Sequence, residues 1–248
     1  MKIDKVIWAS SIEYSDFWNI NSKIHKKYLG IDCTLLFYGK KSDFDLSEEF
    51  GEVIECSFDD GIDPIAQLIF NKWYYTKNEP ETTWLIGDID QIPLVKDHFI
   101  DKIEHINENS YAHLAEDALG FGWRKNQGRL AGYYHAGKGS VISKALNLGK
   151  PLIDHTKELI KQSKQDKSPV WAYEEAYIPK LIIENGYLDK FESINRSPRS
   201  KICRSSNSNF DLEKLKNGEY IDYHCPRPYI KNKETINTIL SIAWGEKI

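Results

Sequence analysis

Residues Thr82 to Leu94 read TTWLIGDIDQIPL. A polar Thr pair leads into an unbroken apolar run, Trp84, Leu85 and Ile86, the profile of a strand covered on both faces. The run ends in Gly87 and then Asp88-Ile89-Asp90. Alternate strand residues point the same way, so the two carboxylates are expected to face one ligand together. Carboxylates crowded at a buried strand end repel each other unless a cation lies between them. A hard, oxygen-seeking ion, Mn²⁺ or Mg²⁺, suits them best. Gly87 has no side chain and would let a ligand approach the backbone, and Pro93 is expected to end the strand. A bare Asp-x-Asp is also a common solvated turn, so the surrounding chain has to decide between the readings.

Upstream, strand and helix patterns alternate. Lys5 to Ala9 reads as a buried strand, with Ser10 to Tyr14 as the loop after it. Phe17 to Leu29 carries a helical apolar face and is capped by Gly30. Cys33 to Tyr38 and Val53 to Phe58 read as further strands. Asp63-Pro64 opens a helix running to Tyr75, with proline in its first turn. This alternation predicts an α/β fold with a mixed, mostly parallel central sheet flanked by helices. Ligands on such sheets bind beyond the carboxyl ends of the strands. Asp88, Asp90 and the Ser10 to Tyr14 loop all belong to such ends.

Downstream the pattern is less regular. Tyr111 to Leu114 and Leu130 to Tyr134 read as strands. Glu116 to Arg129 reads as a loop or lid, and His135 to Gly139 as a glycine-rich turn before Ser140 to Leu148, a strand or helix. Helices are expected over Asp154 to Gln165, with Asp154 as N-cap, over Trp171 to Asn185, and over Thr235 to Trp244. Phe191 to Ile194 and Tyr220 to His224 read as short strands, with Arg196 to Asn209 polar and exposed between them. No linker interrupts the chain. It reads as one domain, with a nucleotide-binding half over 1–94 and an acceptor-binding half with a closing segment over 95–248.

The 248 residues and their 41% apolar content allow a sizeable core. The net charge of −4 argues against a nucleic-acid partner. The four cysteines, Cys33, Cys56, Cys203 and Cys225, lack Cys-x-x-Cys spacing, which points to a reducing, cytoplasmic setting rather than a zinc site or disulfide framework. No signal peptide is evident, and no apolar run nears the ~18 residues of a membrane span.

Taken together these pieces resemble a nucleotide-sugar glycosyltransferase of the GT-A, Rossmann-like fold. They are most similar to the retaining family of glycogenin and the bacterial lipooligosaccharide galactosyltransferases. The resemblance implies a UDP-sugar donor, a divalent ion on its diphosphate, and a glycan, glycoprotein or glycolipid acceptor. It places Ala9, Ser10, Ser11 and Tyr14 at the nucleoside, with Tyr14 stacked on the base, and Lys72 on the helix before the Asp-x-Asp strand. Gly87 and Ile89 join this donor side. His224 stands where the family has a third metal ligand, and Arg227 stands for the lysine that follows it. Glu174 and Glu175 stand at the acidic helix beside the reacting carbon, where a carboxylate would stabilise an oxocarbenium-like sugar, as nucleophile or base. Adjacent residues cannot share one helix face, so one of the pair is expected to be a solvated charge, and which one stays open.

The family's first-loop Asp is Ser11 or Glu13 here. His135-Ala136-Gly137-Lys138-Gly139 replaces its Asn-x-Gly turn. His135 and Gly137, with Glu116, Asp117, Trp123 and Arg124 of the preceding loop, are the expected acceptor contacts. Arg227 or Lys138 would clamp phosphate oxygens. Two other classes remain open. A nucleotidyltransferase or phosphotransferase would share the Asp-x-Asp metal site, although Ser10 to Glu13 has neither Gly nor Lys. A non-catalytic nucleotide- or carbohydrate-binding module is the other.

Overall fold

In the computed structural model, which describes residues 1–119, 128–203 and 210–247, the first apolar run forms strand β1 (Lys5–Ser11). A 3-10 segment over Ile12–Phe17 leads into helix α1 (Trp18–Ile24), continued as π-helix over His25–Leu29. Strands β2 (Asp32–Tyr38) and β3 (Glu52–Cys56), helix α2 (Pro64–Tyr75) and strand β4 (Thr83–Ile86) follow. The Asp63 carboxylate accepts from the amides of Ile65 and Ala66, both at 3.0 Å, and so fixes where α2 begins. Next come β5 (Gln91–Pro93), β6 (Tyr111–His113), β7 (His135–Lys138), α3 (Gly139–Ala145), α4 (Leu152–Gln165) and α5 (Val170–Glu184). The chain continues through β8 (Phe191–Ser193), β9 (Ser200–Ile202), α6 (Leu212–Lys216), β10 (Tyr220–His224) and α7 (Tyr229–Trp244).

Among the described residues, seven strands form the main sheet in the order β3-β2-β1-β4-β7-β6-β8, and three form a small sheet, β5-β10-β9. β3, β2, β1 and β4 are mutually parallel, and β7 runs antiparallel to β4. The expected mixed, mostly parallel sheet is therefore present. Its faces are covered separately. Val6 and Trp8 of β1 pack with Trp18 and Ile24 of α1, whereas Ile7 between them packs with Phe70 and Trp73 of α2. An unbroken apolar strand is what this three-layer arrangement requires.

Several sequence readings change. The strand through Asp88 and Asp90 stops at Ile86, and its continuation, β5, belongs to the other sheet. The Gln91 amide bonds back to the Asp88 carbonyl at 3.0 Å, so Asp88-Ile89-Asp90 is a turn and strand alternation does not align its carboxylates. Leu130 to Tyr134 is not a strand. His135 to Lys138, read as a turn, is one, and its small residues lie against β4 with Gly137 opposite Trp84. Arg196 to Asn209 is not uniformly exposed. It contains β9, and Arg196 is buried between Asp117 and Asp222. Asp154 lies within the first turn of α4, whose N-cap is Pro151.

Candidate active site at the end of β4

The turn after β4 is pinned from three sides. The Gly87 amide donates to the Ile7 carbonyl at 3.2 Å. Buried Asn21 donates to the carbonyls of Ile89 and Gln91 at 2.8 and 3.1 Å. The Cys225 amide, just past β10, donates to the Asp90 carbonyl at 2.9 Å. Gly87 owes its small size to packing as well. A Cβ there would lie 2.9 Å from Trp8 Nε1. The Ile89 side chain is buried in the core.

Two groups of side chains meet at this turn. On one side, Lys72 of α2 reaches Asp88 Oδ1 at 3.3 Å, Glu174 Oε1 at 3.6 Å and the Gly132 carbonyl at 3.2 Å. Glu174 is 5% exposed. Trp73 Nε1 donates to Glu174 Oε1 at 2.9 Å. A Cβ on Gly132 would lie 2.7 Å from the other Glu174 oxygen, so a larger residue there would push this carboxyl from its seat. Burial pushes the Glu174 carboxyl up to about 7, although Lys72 pulls it down. Burial acts on the Lys72 ammonium in the lowering direction, but Glu174 and Asp88 outweigh it and hold the lysine above its ordinary value.

Glu175 points elsewhere. Arg129 Nη2 holds its carboxylate at 2.6 Å. Neither glutamate is the free solvated charge expected for one of them. Their helix is interrupted in a useful way. Pro179 has no amide hydrogen, which leaves the Glu175 carbonyl four residues earlier without its helical donor. The Leu130 amide takes that place at 2.8 Å. This ties the Leu130 to Tyr134 segment to α5. The segment is held further by the Tyr134 amide on the Ile86 carbonyl at 2.7 Å. The Ala131 carbonyl accepts from His135 and His113 at 2.6 and 3.2 Å. A carbonyl only accepts, so both rings are protonated at Nε2 there.

On the other side of the turn, Asp90 is 2% exposed. Its Oδ2 accepts from Arg227 Nε at 2.5 Å and lies 3.5 Å from His224 Nε2. Burial acts to raise the Asp90 carboxyl, but His224 and Arg227 outweigh it and hold it down at about 2. Arg227 Nη1 donates to the Tyr14 hydroxyl at 2.9 Å, and its guanidinium lies 4.2 Å from the centre of the Tyr14 ring. The antiparallel pairing of β10 with β5 sets His224 opposite Gln91, which is how a residue so late in the chain reaches Asp90.

The donor set Asp88, Asp90 and His224 fits a hard divalent ion in kind, and Asp90 with His224 is close enough to share one. Among the described residues, however, no three His, Cys, Asp or Glu side chains converge on a common point. Asp88 is turned to Lys72, and Asp90 is bonded to Arg227.

The other expected contacts separate. Ser10 is buried, with its hydroxyl on the Ser11 carbonyl, while Ala9 and Ser11 are partly buried at the carboxyl end of β1. His135 is wholly buried between Trp73 and Tyr111 and cannot touch an acceptor from solvent. Gly137 is buried too. Lys138 sits opposite Thr83 at the far end of β4, paired with Glu81 and Glu108, and cannot clamp phosphates at the near end. Asp117 is taken by Arg196. Glu116, beside it, donates its amide to the Ile194 carbonyl. Trp123 and Arg124 lie outside the described residues.

No model of a known protein family matches the chain, and a comparison with curated proteins finds no match. Solved structures do match. That of the glycosyltransferase GlyE in Streptococcus pneumoniae TIGR4 gives a TM-score of 0.52 at 14% identity. It covers 99% of this chain and 60% of that one, so the chain spans three-fifths of that relative. That of the galactosyltransferase LgtC, in complex with donor and acceptor sugar analogs, gives 0.54 at 10% identity and covers 98% of this chain and 96% of that one. The fold is the GT-A fold.

Sequence reading missed Trp73, Arg129, Gly132 and Asn21. Trp73 follows Lys72, but the apolar face of a helix gives no reason to single it out. Gly132 stands among six other small or aromatic residues, and only the position of Glu174 explains it. No described helix is long and apolar enough to cross a membrane.

Proposed function

We propose that the protein is a metal-dependent glycosyltransferase. It would move a sugar from a nucleoside-diphosphate sugar, a UDP-sugar, to a hydroxyl of a glycan, glycoprotein or glycolipid, with retention, in a reducing, cytoplasmic setting. The observation that carries this reading is the junction of Lys72, Asp88 and Glu174 just beyond the carboxyl end of β4, in a GT-A fold. Donor and acceptor sugar analogs in the LgtC structure support partners of that kind.

Asp88, Asp90 and His224 would hold the divalent ion, which when bound offsets diphosphate charge as a Lewis acid. Tyr14 would carry the base. Lys72 bridges Asp88 and Glu174, and so joins the diphosphate end of the site to its sugar end. Glu174 has the environment the sugar end needs: fixed by Trp73 and Gly132, and screened from water. Its charge would stabilise positive character at the sugar carbon, an electrostatic effect that gains strength from burial. Glu175, clamped by Arg129, would shape the acceptor side.

A panel of nucleotide sugars with Mn²⁺, read by release of free nucleoside diphosphate, tests the proposal. Turnover of one member that stops on chelation is expected, and Glu174→Gln should lower it by about two orders of magnitude or more. No release from any member would refute the transfer reading. Equal UDP affinity by calorimetry before and after chelation would remove the metal.

A further inference from the structure

We infer that Arg227 is a resident occupant of the donor site, standing where both the metal ion and the nucleobase would go, and that it leaves both places when they bind. The inference rests on the function proposed above. One guanidinium makes all the contacts. Its Nε bonds to Asp90 Oδ2 at 2.5 Å, its Nη1 bonds to the Tyr14 hydroxyl at 2.9 Å, and its centre lies 4.2 Å from the middle of the Tyr14 ring. Asp90 Oδ2 also faces His224 Nε2 at 3.5 Å. A divalent ion shared by that oxygen and that nitrogen would compete with Arg227 for Asp90 Oδ2, and its charge would repel the guanidinium. A base stacked on this face of Tyr14 would need the face that Arg227 covers. A carboxylate and an aromatic face attract a guanidinium just as they would attract the metal ion and the base.

The arrangement is built into the chain. The Cys225 amide bonds to the Asp90 carbonyl, and the Ile230 amide to Asp16 Oδ2 at 3.1 Å. The backbone is therefore anchored on both sides of Arg227, while its side chain is 37% exposed and is held only by Asp90 and Tyr14 among the contacts described above, groups that the ligands would compete for. Arginine suits the double role because its planar fork can bond to a carboxylate while lying on a ring. Lysine has a single ammonium and cannot hold Asp90 and cover Tyr14 at once. Displacement by either ligand would clear the place of the other, so metal and nucleotide should favour each other's binding. Once displaced, the guanidinium remains beside the diphosphate and can bond to it.

The test is calorimetric titration of the whole protein and of Arg227→Ala with MnCl₂ alone, then with UDP at saturating Mn²⁺. The substitution should tighten Mn²⁺ alone by roughly tenfold, the order of one charge-assisted hydrogen bond. It should weaken UDP in the presence of Mn²⁺ by several-fold. A general structural role would weaken both, so opposite signs are diagnostic. Arg227→Lys keeps the charge and serves if the alanine variant does not fold. It should tighten Mn²⁺ by a smaller factor. Equal Mn²⁺ affinities in wild type and variants, or a loss in both titrations, would overturn the inference. Absence of Mn²⁺ binding in every form, even with UDP, would instead remove the metal from the proposed function and this role of Arg227 with it.

Discussion

Glu174 is a carboxyl that the fold keeps out of water, and its titration should be visible in stability. The folded state holds it at about 7, against an ordinary value of 4.5. Between those values the folded protein retains a proton that the unfolded chain has released. Stability therefore falls as pH rises through this window and levels off above it. Relative to Glu174→Gln, wild type should lose up to roughly 3 kcal/mol between pH 4.5 and 7. Urea unfolding of both proteins across that range would check it, and a constant difference would show that Lys72 keeps Glu174 ionised throughout. Asp88 and Asp90 were legible in the sequence because an apolar run led straight to them. Their separate fates were not, because strand periodicity says nothing about a turn. Gly132 and Arg129 were illegible for a different reason: each is explained only by a partner more than 40 residues away.

At the scale of elements, the βαβ alternation of the first half was readable because β1, β2 and β4 each hold a continuous apolar run, and because Gly30 and Asp63 mark helix ends. The second half was harder. β7 is short, glycine-containing and antiparallel, and its pairing with β4 comes from a neighbour rather than from its own pattern. α5 was readable, but the meaning of its internal proline was not. Pro179 leaves the Glu175 carbonyl to Leu130, so a defect in one element is the attachment point of the next. Pro179→Ala would restore a helical donor that competes for that carbonyl. The Leu130 amide should then exchange with solvent at least about tenfold faster, the equivalent of ~1.4 kcal/mol in local opening, while the amides of β4 stay protected. Unchanged exchange at Leu130 would mean that its bond does not depend on the missing helical donor.

At the scale of the molecule, the strand order of neither sheet follows from the sequence, because pairing between distant short strands leaves no local trace. The small sheet is where this matters most. β5 lies in the first half of the chain, yet its partner β10 lies near the end, and Arg227 meets Asp90 across 137 residues. This has a kinetic consequence. Contacts of such long sequence separation carry a large loop-closure cost and are made late. A growing chain can assemble β1 to β4 long before β10 exists, and until then β5 has an unpaired edge. Pulse-labelling of refolding protein should protect the Gly87 amide, bonded to Ile7, before those of Leu94 and Cys225, bonded to Ile221 and Asp90. Simultaneous protection of all three would contradict this order. Late protection would mean that the acidic turn is complete only as the last step of folding, so that an unfinished chain carries the scaffold of the site without its chemistry.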